Sequence, residues 1–312
     1  MATTRVPAVA VWLRGMRAPF FTASVVPVLV GGAAAVYTPG SLDWGKFLLT
    51  LLGMVALHAA ANIWNDYMDY KSGCDPNNPA RTIFNGGSNV IAEGLLSERA
   101  MRNAAFLAYA IGGICGLALA AMMGRPGWVV LLLGAIGVAI AYTYTSRPIF
   151  LAGRGLGEVG VGLSFGLLSV MGTCFVQAGY FSWTAFFASL PVSGLIVAVL
   201  WINQFPDVPA DHAVGKDNLV VRLGRARARY GYDALLGLTY GAVALGCALG
   251  VLPPWTLLSL ATLPLALRSA RLLHRHYQET AALLPAQAGT IQTHLLTGLL
   301  LALGLLLGRW TG

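Results

Sequence analysis

Charge is what this chain has least of. Only 10% of its 312 residues are charged and 57% are hydrophobic, and the mean hydropathy is +0.69. A water-soluble protein of that length needs far more charge to cover its surface, so its main solvent is lipid. Alternating apolar and polar strands of about ten residues are also missing, which excludes a membrane β-barrel. Backbone polar groups in hydrocarbon must find internal partners, and helices are what remains. Cysteine is sparse: Cys74, Cys115, Cys174 and Cys247 lie far apart, three of them inside apolar runs. That spacing offers neither a disulfide framework nor a zinc site. No credible cleavage site follows the basic start (Arg5, Arg14, Arg17), so the first apolar run reads as a retained span.

Long apolar runs are what the chain does have. A crossing helix needs about 20 apolar residues. By that measure there are nine candidate spans, near 19–38, 47–67, 101–123, 127–145, 157–178, 184–204, 231–251, 254–272 and 289–309. The expected fold is an all-α polytopic membrane protein, one transmembrane domain over 1–312 with nine helices around a central cavity. Of the twenty Lys and Arg residues, only Lys46, Arg125 and Arg309 fall on the far side if the N-terminus is cytoplasmic. That sidedness satisfies the positive-inside rule and puts the C-terminus outside. The net charge of +8 then reflects topology and contact with anionic lipid. Nucleic acid is excluded as a partner, because the bases sit in short loops with no basic domain behind them.

The twelve acids cluster as well, and only Asp43 is outside. ANIWNDYMDYKSGCD, residues 61–75, closes the second span. On a helix, Asn65 and Asp69 are i, i+4 neighbours, Asp66 and Asp69 are i, i+3, and Asn62 joins the same face one turn deeper. Gly73 ends that helix and turns the chain back toward Asp75. WINQFPDVPADHAVGKDNLVVRLG, residues 201–224, closes the sixth span, with Asn203, Asp207 and Asp211 spaced by four. Pro206 predicts a helix break at Phe205, with a new segment starting at the proline. An even number of spans separates the clusters, so both emerge on one side. This suggests a four-helix unit (about 12–145) repeated (about 155–272), plus a last helix at about 289–309.

Oxygen ligands on two facing helix ends suit magnesium, which takes one or two carboxylates and completes its shell with water and phosphate oxygens. Lys71, Arg81, Arg147, Lys216 and Arg222 are bases able to bind the remaining charge of a diphosphate. Metal and bases together would stabilise a departing diphosphate. Arg99, Arg102, Arg225, Arg227 and Arg229 read as topology charges. His58 reads as a packing residue and His212 as a loop residue, while His274 and His276 lie in a headgroup-level segment. GRGLGE at 153–158 lacks the βαβ setting of a nucleotide loop. A secondary transporter is the rival from another class. Its acids, however, belong near the membrane midplane rather than at helix ends.

NDYMD followed by an Asp, and DVPAD followed by GK, resemble the two Asp-rich motifs of the UbiA superfamily of intramembrane aromatic prenyltransferases. NGGSNVIAEGLLS (85–97), YTSRPIFLAGRGLGEVGVGLSFGLL (144–168) and GTCFVQAG (172–179) look like its 1,4-dihydroxy-2-naphthoate polyprenyltransferase branch of menaquinone synthesis. Gln204 and Phe205 depart from that branch, which shows Asn and a small or basic residue there. The resemblance implies magnesium-dependent prenyl transfer from a polyprenyl diphosphate to an aromatic acceptor, with dihydroxynaphthoate and decarboxylation as the first reading and another aromatic or quinone-precursor acceptor as the alternative. It implies that Asn65, Asp66, Asp69 and Asp75 hold one magnesium ion, and that Asp207 and Asp211, with Asn203, hold the other. Lys71, Arg147 and Lys216 would grip the diphosphate. Tyr67, Tyr142 or Tyr144 would shield the allylic cation with a ring face.

Overall fold

The long apolar runs fold as helices in a computed structural model that describes residues 7–38, 41–74 and 78–311, with no strand among those residues. Helix α1 is Ala8–Gly15, α2 is Ala18–Tyr37, α3 is Trp44–Ser72, α4 is Glu98–Met123 and α5 is Gly127–Thr143. They are followed by α6 (Gly157–Ala178), α7 (Trp183–Ala213), the short α8 (Leu219–Leu223), α9 (Arg225–Ala248), α10 (Pro254–His276) and α11 (Thr280–Thr311). Seven of these, α2, α3, α4, α6, α7, α10 and α11, are long and apolar enough to cross a membrane. The nine expected spans are therefore seven by that measure. The fourth, α5, has only 17 residues, and the seventh, α9, begins with the basic stretch Arg225–Arg229.

Local chemistry explains the helix ends. Asp43 caps α3 by accepting from the Lys46 N–H at 3.0 Å, and Ser182 caps α7 by accepting from Thr184 at 3.1 Å. Gly73, at φ +80°, closes α3 in the left-handed conformation that spares glycine a steric penalty. The 29 residues of α3 reach about 44 Å, well beyond a hydrocarbon layer about 30 Å thick. Its acidic last turns therefore project past the apolar zone.

Helix α7 corrects the expectation of a break at Phe205. It runs unbroken for 31 residues through Pro191, Pro206 and Pro209. Pro209 has no N–H for the carbonyl of Phe205 four residues earlier. Arg225 supplies the missing donor: its Nε binds the Phe205 carbonyl at 2.7 Å and its guanidinium reaches the Pro206 carbonyl at 3.2 Å. Arg225 thus repairs a helix rather than only marking sidedness. The continuous helix leaves Asn203, Asp207 and Asp211 on one face.

Burial divides the helices by position. In its most apolar window α7 is 61% buried and α4 only 22%, so α7 is central and α4 peripheral. Phe106, Leu107, Ile114 and Leu117 of α4 face outward, as a lipid-bathed helix requires. One core joins α7, α9, α10 and α11 through Ile202, Phe205, Tyr232, Leu273 and Leu283. Another joins α2, α6, α7 and α11 through Val26, Val30, Val170, Val192 and Leu301. Hydroxyl pairs link the last helices in their buried interior: Tyr232–Thr290 at 2.7 Å, Tyr240–Thr262 at 2.8 Å and Thr262–Thr297 at 2.7 Å.

Candidate active site

The first acidic end is held from two sides. Asp66, 3% exposed, accepts from the Arg17 guanidinium and from the Ser88 backbone N–H at 3.0 Å. Asp69, 4% exposed, accepts from Asn65 Nδ2 at 3.2 Å and from Lys216 Nζ at 2.7 Å. Asn62 donates to the Met16 carbonyl at 3.0 Å, tying α3 to the end of α1. Asp75 lies outside the described residues.

The second acidic end is held mostly by neutral donors. Asp207 Oδ1 accepts from Asn78 Nδ2 at 2.6 Å and Asn85 Nδ2 at 2.5 Å, and its Oδ2 accepts from the Gly86 N–H at 3.2 Å. Asp211 accepts from Cys74 Sγ at 3.2 Å and Asn218 Nδ2 at 2.8 Å. Lys216 lies 2.7 Å from Asp69 and 3.6 Å from Asp211, so a single ammonium bridges the two ends. Burial alone would favour its neutral amine. The Asp211 and Asp69 carboxylates outweigh that and hold Lys216 well above the usual ammonium value.

Between the ends opens a cavity of about 350 Å³. Its polar rim includes Asn62, Asn65 and Asp69 from α3 and Asn203, Asp207 and Asp211 from α7, with Lys216 and Tyr144 beside them. Its deeper wall is apolar, with Met54, Leu57, Phe165 and Leu168. Other expected site residues lie elsewhere. Lys71 is exposed and faces Glu98 at 3.9 Å, and Arg147 is exposed over the Phe150 ring at 5.3 Å. Arg81 pairs with Glu93 at 2.9 Å, and Tyr67 and Tyr142 pack on Trp64 at 5.4 and 5.0 Å, outside the cavity wall. Glu93 also grips Arg14 at 2.7 Å; Arg14 first and, against burial, Arg81 hold its carboxyl below the usual range.

Sequence spacing passed over Arg17, Asn78, Asn85 and Gly86, all of which border the cavity. The only sequence signal was a cluster of small amides and glycines, NGGSN at 85–89, in a loop too far along the chain for helical spacing to connect it to Asp207. The donor set is hard oxygen, from carboxylates and amides, which fits magnesium rather than zinc or copper. Among the described residues no three His, Cys, Asp or Glu side chains form a metal cage of their own.

A family model described as UbiA prenyltransferase family matches residues 24–291. A 1,4-dihydroxy-2-naphthoate octaprenyltransferase of Mycobacterium tuberculosis is 34% identical over 261 residues, 83% of this chain and 84% of that protein. A 2-carboxy-1,4-naphthoquinone phytyltransferase of a Synechocystis species is 30% identical over 94% of this chain and 92% of its own length. Among solved structures, a UbiA homolog from Archaeoglobus fulgidus bound to DMAPP and Mg2+ superposes with a TM-score of 0.65 at 16% identity, covering 93% of this chain and 98% of that one. An acid-rimmed cavity within a helical fold, a family match over most of the chain and curated relatives along nearly its full length agree: this chain is a member of the UbiA prenyltransferase family, an integral multi-pass membrane enzyme.

Proposed function

We propose that this protein transfers a polyprenyl group from a polyprenyl diphosphate to 1,4-dihydroxy-2-naphthoate, with loss of carbon dioxide, to give demethylmenaquinone. The observation that supports this reading is Lys216, which spans Asp69 and Asp211 and so makes one polar rim of two distant helix ends. Asn65 and Asp69 on one wall and Asn203, Asp207 and Asp211 on the other, together with Asp66 and Asp75, are the residues that would hold magnesium. When bound, magnesium neutralises the diphosphate and stabilises its departure. Lys216 exchanges its carboxylate partners for diphosphate oxygens and adds a fixed positive charge there. Tyr144 and Phe165 on the cavity wall offer ring faces to the allylic cation. The apolar depth accommodates the isoprenoid tail and excludes water that would quench that cation.

The nine segments serve as nine spans in two four-helix units plus a last helix, with the N-terminus and the acidic loops cytoplasmic and the C-terminus outside. The transporter reading is set aside, because the acids rim a cavity at helix ends beside a base. The activity test uses purified protein, magnesium, a polyprenyl diphosphate and a panel of aromatic acids, with products identified by mass. The expected product is prenylated naphthalenediol without its carboxylate. A product that retains the carboxylate overturns the decarboxylating reading and favours another acceptor.

A further inference from the structure

Behind the acidic rim lies a buried pair that diphosphate chemistry does not use. Glu158, in the first turn of α6, is 2% exposed. Its Oε1 accepts from Gln204 Nε2 at 3.0 Å and from the Leu219 N–H at 3.0 Å. Gln204 is 7% exposed, sits next to Asn203 on α7 and borders the cavity. Among the described residues its Oε1 has no hydrogen-bond partner. Leaving a polar atom buried without a partner is costly, so this one is a standing request for a donor.

The chemistry fixes which way the amide points. Glu158 Oε1 accepts from the Leu219 N–H, and a carboxylate oxygen offers only lone pairs, so the end of Gln204 that suits it is the NH2. The carbonyl of Gln204 is therefore the end left over. A ligand beside it gains by offering an O–H and loses by offering another lone pair. Aromatic surface lies close at hand. Tyr144 lines the same cavity, and its ring packs so closely on Gly157 that a Cβ there would meet Tyr144 Cε2 at 3.0 Å.

We infer that Gln204 Oε1 recognises a ring hydroxyl of the aromatic acceptor, held in place by Glu158 as a positioning residue, and so selects the dihydroxy form over the quinone. This rests on the prenyl transfer proposed above. A quinone carbonyl would meet Gln204 lone pair to lone pair, whereas a ring hydroxyl satisfies it. The same choice serves reactivity, because hydroxyls enrich the ring that attacks the cation and quinone carbonyls deplete it. Sites built to hydrogen-bond a substrate hydroxyl reject analogues lacking it strongly, because their own polar group is then stranded.

The experiment uses the full-length protein in detergent, anaerobically with dithionite, with magnesium and a polyprenyl diphosphate. It measures KM for both substrates, and separately the binding of dihydroxynaphthoate by its fluorescence. Gln204→Leu is expected to raise the KM and the Kd for dihydroxynaphthoate about tenfold, leaving the donor KM within about twofold. Glu158→Ala should move the acceptor values the same way. Glu158→Gln, whose amide carbonyl can still accept from Gln204 and Leu219, should restore them. Without dithionite, the quinone 2-carboxy-1,4-naphthoquinone should compete poorly with wild type, and less poorly with Gln204→Leu. Unchanged acceptor binding in Gln204→Leu, or a parallel rise in donor KM, overturns the inference. If binding weakens as stated but wild type makes no product, the transfer reading fails and the recognition stands.

Discussion

The two acidic helix ends hold their carboxylates by different means. On α3, Asp66 meets a guanidinium, that of Arg17, and Asp69 meets the ammonium of Lys216. On α7, Asp207 meets two amides and a backbone N–H, none of which carries charge. A carboxylate paired with a cation has its charge already compensated. One oriented by neutral donors keeps its full attraction for an incoming cation. Asp207 is thus aimed but not neutralised, while Asp66 already faces a cation of the chain's own. Asp69 lies between these cases, because its cation is a loop lysine that it shares with Asp211.

Substitutions can break this comparison. Asp207→Asn and Asp69→Asn should each reduce kcat about 100-fold or more, as loss of a group acting on the departing charge does elsewhere. A normal detergent gel-filtration profile would show that each variant still folds. Near-normal turnover in either would dismiss the assignment of these acids to the metal. Lys216→Met should come next, with the KM for the polyprenyl diphosphate rising about tenfold as a charge-assisted contact is lost. Asn85→Ala should have a smaller effect. It removes one of three donors to Asp207, and a fall of about tenfold or less in kcat/KM would be read in steady-state assays. Lys71→Ala and Arg147→Ala should change turnover by no more than about twofold, since both are exposed and off the cavity wall. A large loss in either would return those bases to the site.

Much of this was legible in the residues, and the misses have physical causes. Spacing on a helix is local, so Asn65 with Asp69 and Asn203 with Asp207 and Asp211 could be read directly. The sidedness of the bases pointed to one acidic rim, and Lys216 joins the two ends there. Loop geometry is not local. Asn85 reaches Asp207 across 122 positions, and no periodicity reports that. Lys71 and Arg147 looked suitable because sequence reveals charge but not direction. Their side chains turn toward Glu98 and Phe150 instead. Pro206 misled for a related reason. The local rule predicts a break, and a tertiary donor, Arg225, overrides it at the neighbouring Pro209.

That override fixes how the enzyme is braced. Arg225 opens α9, so the helix carrying Asp207 and Asp211 is pinned to the C-terminal bundle. The opposing jaw, α3, is moored separately, through Asn62 to the chain just after α1.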